Sequence, residues 1–156
     1  MTNSIHHWLM KSEPDVYSID DLAGAPQQIG HWDGVRNYQA RNMLRDQMRV
    51  GDQAFFYHSS CAEPGIVGIM EIVRAGYPDD AAFDPKSPYY DSQSSSNNPR
   101  WYRVDVRLLR KLKRIISLQE LRQNPKLADM ILLRKGNRLS ITPVTDAEWK
   151  TILKSE

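Results

Sequence analysis

The stretch from His7 to Lys11 (HWLMK) is apolar without a helical period and is followed by Pro14, a pattern that predicts a buried first strand ending near Ser12. Ser18 and Asp21 have the spacing of a capping box, which predicts a short helical turn closed by Gly24. Further on, Ala40, Leu44 and Met48 recur every four residues; with Asn37 placed to cap the start and Gly51 the end, they predict a helix. On that helix Arg41, Arg45 and Arg49 form a separate basic stripe. Gln53–Ser59 and Ile66–Arg74 are β-rich runs broken by Pro64 and Gly65, and should pair antiparallel. Gly76–Pro99, with four prolines and a serine run, fits neither period and predicts a long loop. Its Phe83, Tyr89 and Tyr90 favour a lid over a disordered segment.

From Trp101 to Leu109 apolar and charged positions alternate, with Tyr102, Val104, Val106 and Leu108 on one face, as in a half-buried strand. Ser117 with Glu120 caps a short helix, Asn124 and Pro125 break it, and Leu127–Arg134 resumes helical character until Gly136. Arg138–Val144 reads as a last strand, and Thr145 with Glu148 caps a terminal helix through Leu153. Short strands outnumber βαβ units, so the pattern predicts an α+β chain: a small mixed or antiparallel β-barrel with peripheral helices. Walker and Rossmann glycine patterns are absent, which argues against a doubly wound nucleotide-binding sheet.

A length of 156 residues with 40% hydrophobic positions suits one domain, residues 1–156. No window approaches a membrane span of about 20 apolar residues, and Met1–Ile5 lacks a secretory layout. The single cysteine, Cys61, excludes a disulfide framework and multi-cysteine zinc sites and suits a reducing compartment: cytoplasm, or nucleus in a eukaryote. His6, His7, His31 and His58 are too scattered for a metal centre, so neither metal nor cofactor is expected, and the protein is expected to be a monomer without membrane contact.

The net charge of +2 conceals clustering. Arg100, Arg103, Arg107, Arg110, Lys111, Lys113 and Arg114 stand against one acid, Asp105, and Arg36, Arg41, Arg45 and Arg49 accompany the predicted helix. Such groups suit phosphate backbones, whose neutralisation releases counterions; a solvated surface explains them equally.

The most informative motif is Trp32-Asp33-Gly34-Val35-Arg36-Asn37-Tyr38, an aromatic, a flexible glycine, charges and a carboxamide just before a helix. A core tryptophan beside a plain turn accounts for part of it. In the functional reading Trp32 offers a π-face to a base whose edge Asn37 and backbone amides read. Lys11-Ser12-Glu13 turns from apolar to polar at a strand end, as at a pocket mouth or a surface turn. Tyr57-His58-Ser59-Ser60-Cys61 ends another strand in polar and reactive groups; a thiol activated by His58 lacks any spaced third partner, so these residues are read as lining a site. Acid-base catalysis would have Glu13, Asp33 or Glu71 to draw on, but no pattern requires catalysis.

These blocks, WLMKSEPDVYSIDDL, HWDGVRNYQARN, GDQAFFYHSSCAEPGIVGIMEIV, FDPKSPYYD and NPRWYRVDV in order, resemble the EVE domain family, a PUA-like fold related to YTH and ASCH domains, with a weaker match through RLSITPV. The resemblance implies a PUA-like barrel of five or six strands ringed by short helices, with one pocket beside the basic surface. It implies a non-catalytic, nucleic-acid-binding reader of a modified base in DNA or RNA. Carried onto this chain, the pocket takes Lys11, Ser12, Glu13, Trp32, Val35, Asn37 and Tyr38, with Tyr57, His58 and Ser59 as back wall, Tyr89 and Tyr90 closing over it, and Arg138 and Ser140 entering from the last strand. Arg36, Arg41, Arg45, Arg49, Arg103 and Arg107 would contact phosphates. The cage tryptophans of YTH domains lack full counterparts, since Trp8, Trp101 and Trp149 fall in elements read as core, so a methyladenine ligand does not transfer. Two other readings stand beside this one: a small hydrolase of modified nucleosides or RNA using Lys11, Ser12 and Glu71, and an RNA-binding PUA-like module indifferent to modification.

Selectivity is constrained by magnitudes. A buried methyl contributes about 0.8 kcal/mol, and stacking about 1 to 3 kcal/mol whichever base is bound. Sharp preference therefore requires hydrogen-bonding groups that the wrong base leaves unpaired, and in a duplex the base must be flipped out.

Overall fold

The computed structural model describes residues 5–156; of the Met1–Ile5 stretch read above, all but Ile5 lies outside them. Six strands form one sheet: β1 (His7–Ser12), β2 (Ile29–Trp32), β3 (Gln53–His58), β4 (Gly65–Pro78), β5 (Tyr102–Ser117) and β6 (Ile141–Val144). Their order is β2-β5-β4-β3-β1-β6, antiparallel throughout except for the parallel pair β1 and β3. The four helices are α1 (Ile19–Gly24), α2 (Tyr38–Asn42), α3 (Leu118–Gln123) and α4 (Asp146–Ser155). None of the described helices is long and apolar enough to cross a membrane.

Alternation along the central strands explains why the sheet is covered on both faces. Trp8 and Met10 of β1 and Ala54 and Phe56 of β3 point into one cluster, with Trp32, Leu44, Met70, Val104 and Ile141. The intervening Leu9, Phe55 and Tyr57 point into a second, with Ile66, Ile116, Leu121, Trp149 and Ile152. Because side chains alternate with period two, each strand serves both clusters. The expected core tryptophans Trp8, Trp101 and Trp149 are all buried.

The long β4 and β5 are paired through several register shifts, between Ile66 and Gly68, Ile69 and Met70, Ile72 and Arg74, and Arg74 and Tyr77. Shifts of this kind bend and twist a sheet, and here they curl it around the first cluster. The expected barrel is not closed: among the described residues no ladder joins edge strand β2 to edge strand β6. The PUA-like α+β fold is nonetheless present, with the barrel left open along a seam.

Several local expectations meet the structure directly. Ser18 and Thr145 close capping boxes with Asp21 and Glu148. Asn37 caps α2 by accepting the Ala40 N–H at 3.0 Å. The helix expected to run to Gly51 is shorter: after Asn42 it widens into a π-turn, in which the Met48 N–H donates to the Met43 carbonyl at 2.9 Å, and Met48 is already extended. Ala40, Leu44 and Met48 still all reach the core. The widened turn breaks the i, i+4 register of the arginines, however, and leaves Arg49 beyond the helix. Strand β2 was not anticipated, since its four residues sit next to a turn motif and pair only through β5. Leu127–Arg134 forms isolated 3₁₀ turns in place of a helix.

Candidate functional site

The seam holds a cavity of about 610 Å³, within the range usual for small-ligand sites. One side comes from edge strand β2 and its continuation: His31, Trp32, Asp33, Gly34, Val35 and Arg36. The other comes from the ends of β1 and β3 and the approach to β6: Lys11, Ser12, Glu13, Ser59, Ser60, Arg138 and Ser140, with Val16, Tyr17 and Tyr89 completing it. Residues far apart in the sheet order meet here because the sheet curls. The Lys11 N–H donates to the Ser140 carbonyl at 2.8 Å and the Ser59 N–H to the Ser12 carbonyl at 3.0 Å, stitching this second wall together.

The first wall is built on Gly34 and Asp79. Gly34 adopts φ +74, and a Cβ there would lie 2.6 Å from Tyr89 Cζ, so the glycine lets the tyrosine ring lie against the backbone. Asp79, fully buried, accepts from the Gly34 N–H at 3.0 Å, from Arg36 Nη1 at 3.0 Å and from the Ala81 N–H at 3.0 Å. Arg36 also donates to the Tyr89 carbonyl at 2.6 Å and the Val35 carbonyl at 3.0 Å. The loop expected to be a lid is thereby tied down as a wall; Tyr89 lines the cavity, and Tyr90 is exposed outside it.

Trp32 sits lower than expected. It is 6% exposed and packs edge-on against Phe56, with ring centroids 5.2 Å apart, so it forms the floor and offers no free stacking face. The aromatic rings nearer the opening are Tyr17 and Tyr89, both partly exposed. Gly30 makes room for the first, since a Cβ there would fall 2.3 Å from the Tyr17 hydroxyl.

Four expected pocket residues besides Tyr90 stand elsewhere. Asn37 is committed to capping α2. Tyr38 stacks on Trp101 at 5.0 Å under the Arg41 guanidinium. Tyr57 points into the second cluster, on the opposite face of the sheet. His58 Nε2 accepts the Ile19 N–H at 3.1 Å, and burial holds its pKa below the usual imidazole value, as suits an uncharged acceptor. His58 is therefore occupied with α1, not with Cys61. Sequence reasoning missed Val16, Tyr17 and His31 as lining residues, whereas Ser59 and Ser60, read as lining a site, do so; Asp33, Gly34 and Arg36 lay inside the tryptophan motif but were given other roles.

Burial disfavours charge in this cavity. The Asp33 carboxyl is pushed above its ordinary range by desolvation and by the neighbouring Asp79, against Arg103, whose Nη1 is 3.9 Å away. Lys11 is lowered by desolvation. Tyr17 is raised by burial and by the nearby Asp21 and Asp33. At the rim, His31 Nδ1 lies 2.7 Å from Asp105, which also accepts from the Tyr77 hydroxyl at 2.5 Å; burial and that bond push Tyr77 up to about 12.

The basic run of β5 is matched by acids from other elements. Arg103 pairs with Asp80 at 3.1 Å, Arg110 with Glu156 at 2.7 Å and Arg114 with Glu120 at 2.6 Å, while Arg107 pairs with Glu71 and Lys111 with Asp20. On the helix side, Arg45 pairs with Asp46, Arg41 donates to Asn42 and the Arg100 carbonyl, and Arg49 is exposed. Glu71 belongs to this outer pairing and does not line the cavity, and the Ser12 hydroxyl donates to the Tyr17 carbonyl at 2.6 Å. Lys11, Ser12 and Glu71 are thus not assembled as a hydrolytic set. Among the described residues no cluster of three or more histidine, cysteine or acidic side chains offers a metal site.

Comparison with known proteins places this geometry in a family. The EVE domain model matches residues 6–155. Human thymocyte nuclear protein 1 is 45% identical over 173 residues, covering 100% of this chain and 76% of that protein. A crystal structure of a Pseudomonas syringae protein superposes with a TM-score of 0.91 at 48% identity, covering 96% of this chain and 98% of that one. The crystal structure of the human THYN1 protein in complex with 5-methylcytosine-containing DNA superposes with a TM-score of 0.90 at 46% identity, covering 96% of each chain. An ASCH protein from Zymomonas mobilis shares the fold, with a TM-score of 0.54 at 10% identity over 95% of this chain and 96% of that one. The open six-stranded sheet, the cavity across its seam and these matches together establish that the chain belongs to the EVE domain family.

Proposed function

We propose that this chain is a non-catalytic nucleic-acid-binding module that takes one modified nucleobase into the seam cavity. The observation that carries the reading is the human THYN1 protein's complex with 5-methylcytosine-containing DNA, a structure matched along nearly the whole chain at 46% identity. The cavity chemistry supports it. Trp32, Val35, Tyr17 and Tyr89 supply apolar and aromatic contact, while the Asp33 and Glu13 carboxylates suit the exocyclic amine of cytosine. A base methyl adds only about 0.8 kcal/mol of burial, so selection rests mainly on these polar groups.

The test is a fluorescence-anisotropy panel of DNA and RNA oligonucleotides carrying one cytosine, 5-methylcytosine, thymine, adenine or methyladenine. Tighter binding of one modified base, weakened by Tyr89→Ala, is the expected result. Equal affinity for all of them, with a steep salt dependence, would overturn the reading in favour of a modification-indifferent RNA-binding module.

A further inference from the structure

Outward from the cavity, aromatic rings and guanidinium groups run in one continuous series. Tyr89, whose ring lies against Gly34 at the cavity wall, has the Arg36 guanidinium 5.6 Å from its centroid. Arg36 is also 5.4 Å from the Trp101 ring, Trp101 stacks on Tyr38 at 5.0 Å, and the Arg41 guanidinium lies 4.8 Å from the Tyr38 centroid. The middle of the series is fixed, because Trp101 is buried and its indole N–H donates to Asp91 at 2.7 Å. Its outer end is open: Tyr38 is 52% exposed. The two cations differ as well. Arg36 is neutralised by the buried Asp79 at 3.0 Å. Arg41 has only neutral acceptors, the Asn42 carboxamide oxygen and the Arg100 carbonyl, and no carboxylate partner among the described residues. Asp46 is held below its ordinary range first by Arg45, which binds both its oxygens at 2.8 Å, and only last by Arg41.

We infer that the outer end of this series is a second nucleic-acid contact: Arg41 takes a backbone phosphate of the strand flanking the base held in the cavity, and the exposed Tyr38 ring lies against the adjoining sugar. The inference rests on the base-reading assignment and goes beyond it, because it gives the strand a place to lie outside the cavity and away from the arginine-rich β5. Arg103, Arg107, Arg110, Lys111 and Arg114 are paired with acids of the same molecule, so turning one to a phosphate would leave a carboxylate facing the nucleic acid. Arg41 has no such partner to release. A guanidinium carries one N–H on Nε and two on each terminal nitrogen, and the bonds to Asn42 and Arg100 leave one on Nη1 and one on Nη2 for an anion. Stacking on Tyr38 holds the planar group without using those donors and lessens the side-chain entropy lost on binding. Through Trp101 and Arg36 the contact shares one frame with Tyr89, so base and phosphate are held at a fixed offset.

The experiment measures the salt dependence of binding to a single-stranded DNA carrying one 5-methylcytosine. It compares the parent protein with Arg41→Gln, Arg41→Lys, Tyr38→Ala and, as a control, Arg107→Gln, whose partner is Glu71. The slope of log K against log salt should fall by about 0.7 in Arg41→Gln and keep its value in Arg41→Lys and Arg107→Gln. Tyr38→Ala should weaken binding about threefold. Replacing the phosphates around the modified base one at a time with neutral methylphosphonates should reveal a position where the parent protein loses about tenfold in affinity and Arg41→Gln loses nothing further. The absence of such a position, or an Arg41→Gln slope equal to the parent's, would overturn the contact. Equal binding of cytosine, 5-methylcytosine and thymine strands would overturn the base reading instead, and the slopes would still report on Arg41.

Discussion

Each face of the sheet buries a cluster of apolar side chains, but the two differ in what they have left over. On the face of the second cluster, Trp149 of α4 stacks on Phe55 at 3.9 Å and on His7 at 4.2 Å, and α3 and α4 seal the surface with apolar contact. On the face of the first cluster, the curled edges do not meet. What fills the gap is polar: a buried aspartate, an arginine spent on carbonyls, and a carboxyl whose ionised form is disfavoured. The face of the second cluster is held by apolar packing. The other retains in Asp33 a carboxyl whose desolvation the fold offsets only in part, through Arg103, and a perturbed group at a cavity is the usual mark of a binding site.

Substitutions on the two faces should therefore separate stability from binding. Trp149→Ala, deep in the sealed face, should cost about 3 to 5 kcal/mol in urea unfolding and leave the folded fraction's affinity for nucleic acid unchanged. Altered affinity at unchanged fold would mean that the faces are coupled. Asp79→Ala removes the buried acceptor shared by Gly34, Arg36 and Ala81, and should cost about 3 kcal/mol. It should also abolish binding, because the Tyr89 wall loses its anchor; retained affinity would show the wall to be dispensable.

Gly34→Ala should cost only about 1 to 2 kcal/mol, the penalty of a left-handed alanine, yet push Tyr89 out of place and cost most of the affinity. Comparing Kd with Tm for this variant sharpens the contrast most, since its expected loss falls on function and not on folding.

The smallest expected effect has the opposite sign. Desolvation raises the Asp33 pKa above its unfolded value of about 4, so its folding contribution is most favourable below that pH and is lost as the folded carboxyl ionises at higher pH. Asp33→Asn should therefore raise Tm slightly at pH 7, the gain vanishing below about pH 4, while weakening the complex with an amine-bearing base. A Tm that drops at pH 7 would place Asp33 among the structural residues with Asp79.

Strand positions, caps and core were legible because they depend on neighbours in sequence. Alternation marked β5, short apolar or β-rich runs marked β1 and β3, and the capping boxes at Ser18 and Thr145 needed only three residues of spacing. Period two also carried the information that Tyr57 and Phe56 face opposite ways; placing Tyr57 in the pocket disregarded it. Strand β2 was illegible because four residues beside a turn have too short a pattern, and only pairing with β5 makes them a strand. The acids that neutralise β5 are distant in sequence, Asp20 from Lys111 and Glu156 from Arg110 among them, so linear charge clustering overstated the basic surface.

The sequence by itself determined the PUA-like α+β fold, the apolar alternation and the block Trp32 to Arg36 around which the cavity forms. Only the tertiary structure decided that the barrel stays open, that Trp32 lies on the floor, and that most cations of β5 are paired with distant acids. The physical reason is range. Propensity and period act over a few residues, whereas burial, ion pairing and the meeting of two sheet edges depend on groups that the curl of β4 and β5 brings together.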